Sequence, residues 1–165
     1  MSPAVEVLGV LQQIVDLLTD PTSGCAVSPE PCRVAVYPGV QVPWDTCGDN
    51  GCTNKDGQLW ANLVSFTATG AGECERVTFT AIVGIVRCEQ GKLKSDGSLP
   101  NVSLTEADAT QQAADADSIW SAFHCCDNRP DSLRDVSLTN WTALGPSGGC
   151  VGGQWTMTGV IDTCC

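Results

Sequence analysis

Glu75-Arg-Val-Thr-Phe-Thr-Ala-Ile-Val-Gly-Ile-Val-Arg-Cys88 is the stretch that decides the fold. Val77, Phe79, Ala81, Val83 and Ile85 alternate with Thr78 and Thr80, the period of two that sends every second side chain to one face of a sheet. Toward Ile82 and Val86 both faces turn apolar, as in a strand covered on two sides. A central strand is therefore expected over 75–88. Residues 59–67 form the strand before it, and the connection Ala68 to Cys74, with two glycines, makes the two an antiparallel hairpin.

Further out, Cys32-Arg-Val-Ala-Val-Tyr37 is a short strand ended by Pro38-Gly39. Residues 135–144 and 154–162 close the chain as a second hairpin, with Val151, Trp155, Met157 and Ile161 marking the buried face of its last strand. Residues 3–19 read as a helix between Pro3 in its first turn and Pro21 past its end. Val5, Leu8, Leu11, Val15 and Leu18 make one apolar stripe, which Val7, Val10, Ile14 and Leu17 widen. So broad a surface implies packing on a sheet and on a further neighbour, such as another subunit.

A second helix is expected over 105–124. It would be capped by Thr105 with Asp108 reciprocating, or by Ser103 with Glu106. Ala109, Ala113, Ala116, Trp120 and Phe123 share one face, whose small residues would let the helix lie close on the sheet. The order helix, three strands, helix, two strands gives an α+β fold: a mixed or antiparallel sheet of about five strands packed by two helices, in one domain over 1–165. Residues 38–58 carry Pro, Gly, Asp and Asn with little periodicity. A connection that long reads as a contact loop, with Trp44, Asp45, Asp49 and Asn50 as its candidate interface residues, or as a plain surface excursion with Trp44 in the core.

Composition narrows the function. The chain has 165 residues, 42% of them apolar, which is a globular value. Its formal charge is -11 with eight Lys and Arg. That excludes a phosphate-gripping nucleic-acid binder, which needs clustered cations, and disfavours docking on anionic membranes. Such a chain can still surround DNA without holding it. The apolar start from Val5 to Leu18 is broken by Glu6, Gln12, Gln13 and Asp16 and has no basic residue before it, so it is expected to be neither a signal peptide nor a membrane span. Synthesis in a cytoplasm follows as the expectation.

Eleven cysteines stand at 25, 32, 47, 52, 74, 88, 125, 126, 150, 164 and 165. None of them makes a Cys-x-x-Cys pair, the spacing that zinc ribbons and thioredoxin-like sites use. They are expected to be buried thiols or long-range staples, with a Cys47–Cys52 bond as one option for pinning the contact loop. Many cysteines in an unexported chain suit a protein whose later life is outside the cell, such as a virion component, and equally a heavily thiolated cytosolic protein.

Few arrangements could carry chemistry. His124-Cys125 is the one start for an enzyme reading, but neighbours at a helix end point in different directions, and there is no second histidine. A capping histidine beside a buried thiol is the simpler account. Cys125, Cys126, Cys164, Cys165 and His124 could gather round zinc, although a bare Cys-Cys is a weak metal signal. Gly145-Pro146-Ser147-Gly148-Gly149 and Gly152-Gly153 lack the lysine and following helix of a phosphate loop and read as a flexible hairpin tip. Asn101-Val-Ser and Asn140-Trp-Thr match the glycosylation pattern only formally. Asp108, Asp115 and Asp117 are assigned to the solvated face of the second helix. No catalytic residue, metal or cofactor is expected.

Several pieces stand in a definite order. Cys32-Arg-Val-Ala-Val-Tyr-Pro-Gly is followed by Pro43-Trp44-Asp45-x-Cys47 and Gly57-Gln58-Leu59-Trp60. Then come Val86-Arg87-Cys88, Leu104-Thr105 opening an Ala/Asp-rich helix, Cys125-Cys126, and Gly145-Pro146-x-Gly148-Gly149-Cys150. From about residue 30 onward this order resembles the small cysteine-containing tail terminator (neck) proteins of siphophages that infect actinobacteria. The resemblance implies a non-enzymatic virion protein that forms a ring, usually a hexamer, at the head-proximal end of the tail tube. Such a ring stops tube polymerisation. Its partners would be further copies of itself, the major tail tube protein and the head-tail stopper or connector, with DNA passing through the lumen unbound. Only Cys32, Cys47, Cys88, Cys125, Cys126 and Cys150 carry over from the family's cysteine pattern. Cys52 within Gly48–Asp56 looks like an insertion into a tighter Trp-Asp-Cys-Cys-Gly-Gln-Leu form. The competing readings are another neck component, such as a stopper or adaptor, and a cysteine-coordinated zinc protein.

Overall fold

A computed structural model describes residues 2–37, 39, 42, 57–70, 74–91, 97–147 and 149–164. The order is α1 (Pro3–Thr19), β1 (Arg33–Tyr37), β2 (Gln58–Thr69), β3 (Cys74–Cys88), α2 (Val102–His124), a single 3-10 turn (Asp131–Leu133), β4 (Val136–Ser147) and β5 (Cys150–Cys164). The five strands form one mixed sheet in the order β1-β2-β3-β5-β4. The fold is α+β with two helices and five strands, as the alternating stretches imply.

β3 is the axis of the sheet. It pairs antiparallel with β2 on one side and with β5 on the other. Val77, Phe79, Ala81, Val83 and Ile85 are all buried on one face, together with Leu59 and Ala61 of β2 and Met157 of β5. Both helices cover that face, α1 over β1 and β2 and α2 over β5 and β4. The other face carries a smaller cluster of Trp60, Val86 and Cys150, flanked by Tyr37, Val42 and Leu144. Each large side chain removed from water this way contributes roughly 1.5–3 kcal/mol.

β1 runs parallel to β2. A parallel pair cannot be joined by a tight turn, because the chain must return to the end from which it started, which takes a dozen residues or more. The length of the connection from Tyr37 to Gln58 is thus a requirement of topology, whatever else it does.

α1 buries Val7, Val10, Leu11, Ile14, Val15, Leu17 and Leu18 and leaves Val5 and Leu8 exposed. The stripe drawn through Val5 and Leu8 is therefore rotated: the widening residues are its centre. α2 begins at Val102, three residues before the expected start. Its cap is Asn101, whose side chain accepts from the Ser103 amide at 3.1 Å. Neither proposed capping box forms. Asp108 instead accepts the backbone amides of Gln90 and Gly91, at 3.0 and 2.8 Å.

The assignment of Asp108 and Asp115 to solvent is overturned. Both are buried, with Asp115 at 0% exposure. Asp115 receives a two-point contact from Arg87 of β3, Nε to Oδ2 at 3.0 Å and Nη2 to Oδ1 at 2.8 Å. The same guanidinium donates through Nη1 to the Pro29 carbonyl at 2.7 Å. Asp117, two residues on from Asp115 and so about 200° round the helix, is exposed as expected.

Gly152 and Gly153 lie inside β5 rather than in the hairpin tip. A side chain at Gly153 would overlap the Trp141 indole, and one at Gly84 would overlap its cross-strand partner Trp60. These glycines are sockets for aromatic rings, which explains why a central strand tolerates them.

Two outcomes check this account. Asp115→Ala strands the Arg87 charge in the interior and is expected to cost about 3–5 kcal/mol in urea unfolding, whereas Arg87→Met with Asp115→Leu recovers most of that loss. Gly84→Ala pushes on the Trp60 ring and is expected to destabilise by about 1–3 kcal/mol by the same measurement.

Candidate functional site

Three surfaces emerge from the residues that could carry function. Trp44, Asp45, Asp49 and Asn50, the expected contact loop, lie outside the described residues, as do Cys47, Cys52 and Cys165.

The first surface is a groove of about 460 Å³ between α2 and the β4–β5 hairpin. Ala109, Ala113 and Ala116 form its floor, with Trp120, Trp141 and Trp155 around it and Gln112 and Asp117 at its margin. This is most of the stripe that was expected to press against the sheet. α2 is rolled by roughly a quarter turn, at 100° per residue. The arc facing the core is Asp108, Asp115, Ile119, Ala122 and Phe123. Phe123 anchors the helix as expected, while Trp120 is 40% exposed. The Trp155 indole donates its Nε1 hydrogen to the Ala116 carbonyl at 3.1 Å, and its ring lies 5.6 Å from that of Trp141 at 56°. That hydrogen bond pins the sheet side of the groove, whose lining is apolar apart from Gln112 and Asp117. Trp141 and Trp155 stand opposite each other in the β4–β5 ladder, and of the two the sequence pattern marks only Trp155.

His124 and Cys125 end α2 at the rim of this region. The imidazole stacks on Trp120, with centroids 4.1 Å apart and planes 10° apart, and Nδ1 meets the Trp120 carbonyl at 2.8 Å. The histidine is committed to the end of its own helix. Cys125 is an exposed thiol, not the buried one expected.

Cys126 turns back instead and forms a disulfide with Cys25, with Cα atoms 5.9 Å apart and 101 residues between them in sequence. This is one of the long-range staples that the cysteine spacing implied. It ties the segment after α1 to the end of α2. It also removes Cys126 from the zinc set of His124, Cys125, Cys126, Cys164 and Cys165. Cys32 is disulfide-bonded too. Cys88, Cys125 and Cys150 are thiols. Cys74 and Cys164 stand opposite each other in the β3–β5 ladder. Among the described residues no three of His, Cys, Asp and Glu come together to hold a metal.

The second surface is the outer part of the β2–β3 hairpin. From Val64 to Thr69 every residue of β2 is exposed, including Phe66 and Val64. The ladder at this end is closed by Arg76 of β3, which pairs in register with Asp162 of β5 at 3.0 Å. The Arg76 guanidinium, by hydrogen bond and then by charge, holds the Asp162 carboxyl below its ordinary range. The third surface is the apolar start of α2, where Leu99, Val102 and Leu104 are exposed.

No protein-family model matches this chain, and no curated protein matches its sequence. Among the described residues no helix is long and apolar enough to cross a membrane.

Two measurements follow. Reduction, or Cys25→Ser, is expected to cost about 2–4 kcal/mol of unfolding free energy, and Cys25 and Cys126 should resist alkylation until reductant is added. Because the folded Asp162 carboxyl titrates below its unfolded value, the stabilisation from its pairing is present above the ordinary aspartate range and is lost as pH falls through the lowered value. An NMR titration should show Asp162 moving up toward that ordinary range in Arg76→Gln.

Proposed function

We infer that this chain is a structural virion subunit, a tail terminator whose copies close into a ring at the head-proximal end of a phage tail tube. It acts through the shape and apolarity of its surfaces, without bond-making chemistry of its own. The order of motifs from Cys32 to Cys150 supports this reading, and so does an α+β subunit with two helices on one face of a five-stranded mixed sheet.

The observation that carries it is the pair of unlike sheet edges. β1 is short and parallel to its neighbour, whereas β4 is twelve residues long, antiparallel and uncharged along its length. Different surfaces at the two ends of one sheet suit head-to-tail contacts between copies, and head-to-tail contacts close into rings when the rotation permits. The exposed apolar residues at Val64, Phe66, Leu99, Val102 and Trp120 are the kind that assembly would cover. A ring of six would multiply the charge of -11 sixfold, and acidic residues lining the channel would let DNA pass without sticking. Ring partners in this reading are the tail tube protein on one side and the head-tail connector on the other, with the virion neck as the location.

The experiment is genetic and structural. Particles assembled without this protein should carry overlong, headless tails, and the protein should be found by electron microscopy as a collar between tail and head. Normal tail lengths without it, or a monomer that turns over a substrate, would remove the proposal.

A further inference from the structure

Three of the chain's five tryptophans line one groove, the space of about 460 Å³ between α2 and the β4–β5 hairpin. Each ring is held by a contact of its own. The Trp155 indole donates to the Ala116 carbonyl at 3.1 Å. Trp141 sits over Gly153, where an added Cβ would run into its ring. Trp120 is stacked on His124. Between them lie Ala109, Ala113 and Ala116, side chains too short to fill the space. A groove walled in this way is shaped before anything enters it.

Apolarity alone would suit any hydrophobic guest, but two features select for positive charge. An indole presents the negative face of its quadrupole, and a cation gains from it within about 6 Å of the ring centroid. The Trp141 and Trp155 centroids are 5.6 Å apart with planes 56° apart, so a single cation fits within that reach of both. The one charged group among the described lining residues is the Asp117 carboxylate, one helical turn before Trp120 and therefore on the same side of α2. No Lys, Arg or His among the described residues lines the groove, and the whole chain carries a formal charge of -11.

The lining also decides which kind of cation. A primary ammonium brings three N–H donors, each of which needs an acceptor once water is stripped away. Here the Ala116 carbonyl already takes the Trp155 hydrogen, and the Gln112 amide nitrogen is itself a donor, turned to the Leu144 and Gly152 carbonyls. An ammonium whose hydrogens are replaced by methyl groups has no donor to satisfy, and it offers the rings an apolar surface that is positively charged. We propose that the groove is a binding site for a small quaternary ammonium compound of the choline kind. The charged head rests against Trp120, Trp141 and Trp155, and Asp117 balances its charge. The site is a property of one folded subunit, so it goes beyond the assembly reading and holds or fails independently of it.

The test follows the indole N–H signals of the purified full chain by NMR as choline chloride is added, with ionic strength held constant by sodium chloride. The comparison probe is dimethylbutanol, the neutral carbon analogue that has the shape of choline without its charge. Saturable shifts of the Trp120, Trp141 and Trp155 signals in the millimolar range are expected with choline, at an affinity at least about threefold that of the alcohol. Trp120→Ala changes a ring that is 40% exposed and should remove most of the choline response while the rest of the spectrum stays folded. Asp117→Asn keeps the shape and should weaken choline about twofold or more, with the alcohol unaffected. Shifts that rise without saturation overturn the proposal. So does equal affinity for the two probes, which would mark an apolar groove indifferent to charge. A choline response that both variants leave intact lies elsewhere on the chain and overturns it too.

Discussion

Arg87 is a charged residue near the end of a strand whose helix-facing residues from Val77 to Ile85 are apolar, and the fold is built round the need to neutralise it. A guanidinium this deep costs several kcal/mol in lost hydration. The cost is met by a two-point contact from Asp115 and by the Pro29 carbonyl, which together occupy three donors of the one guanidinium and so tie β3 to two other pieces of chain. Gln111 adds a bond to the same carboxylate, donating to Asp115 at 3.1 Å. One buried cation thereby fixes the position of α2 along β3 and the course of the segment that leaves α1. Apolar contacts alone would allow α2 to slide or roll at little cost. A charge that must be met at one point does not.

That constraint explains the surface as well as the interior. Turning Asp115 and Asp108 toward the sheet carries Ala109, Ala113, Ala116 and Trp120 out to the side. The shallow groove between α2 and β4 is the result, because the small residues that would allow close packing face sideways while Ile119, Ala122 and Phe123 fill the core. Trp141 and Trp155 then have rings facing a partly open space, and the Trp155–Ala116 hydrogen bond keeps that geometry from collapsing.

The strands were legible because their signal is local. Alternation over Val77–Ile85 needs only the residues themselves, and the β2–β3 and β4–β5 hairpins follow from short glycine-containing connections. What the pattern hid was pairing at a distance. Asp108 and Asp115 look like solvated carboxylates until Arg87 and the amides of Gln90 and Gly91 are brought beside them, and no periodicity reports that. The roll of α2 was misread for the same reason: an alanine stripe and an acidic stripe a quarter turn apart are both plausible inner faces, and a cation on another strand decides between them. The parallel setting of β1 was not specified by its five residues either. The cysteine spacing leaves buried thiols and long-range staples both open, and only folding shows that Cys25 meets Cys126 and leaves Cys125 outside.

The edges of the sheet set limits on how copies could meet. β4 is uncharged, a feature that normally invites uncontrolled strand pairing. Its ladder to β5 is interrupted between Leu138 and Asn140 and again between Leu144 and Ser147, with Pro146 in the second interruption. Each irregularity twists the edge and breaks its row of donors and acceptors. The longest regular template that remains runs from Asn140 to Leu144, too short for a stable added strand without help from side chains. Any partner docking here has to use the neighbouring tryptophan groove as well, so recognition depends on side-chain shape and not on backbone alone. In the ring assembly proposed above, that kind of edge suits a subunit that accepts one defined neighbour and refuses indefinite addition.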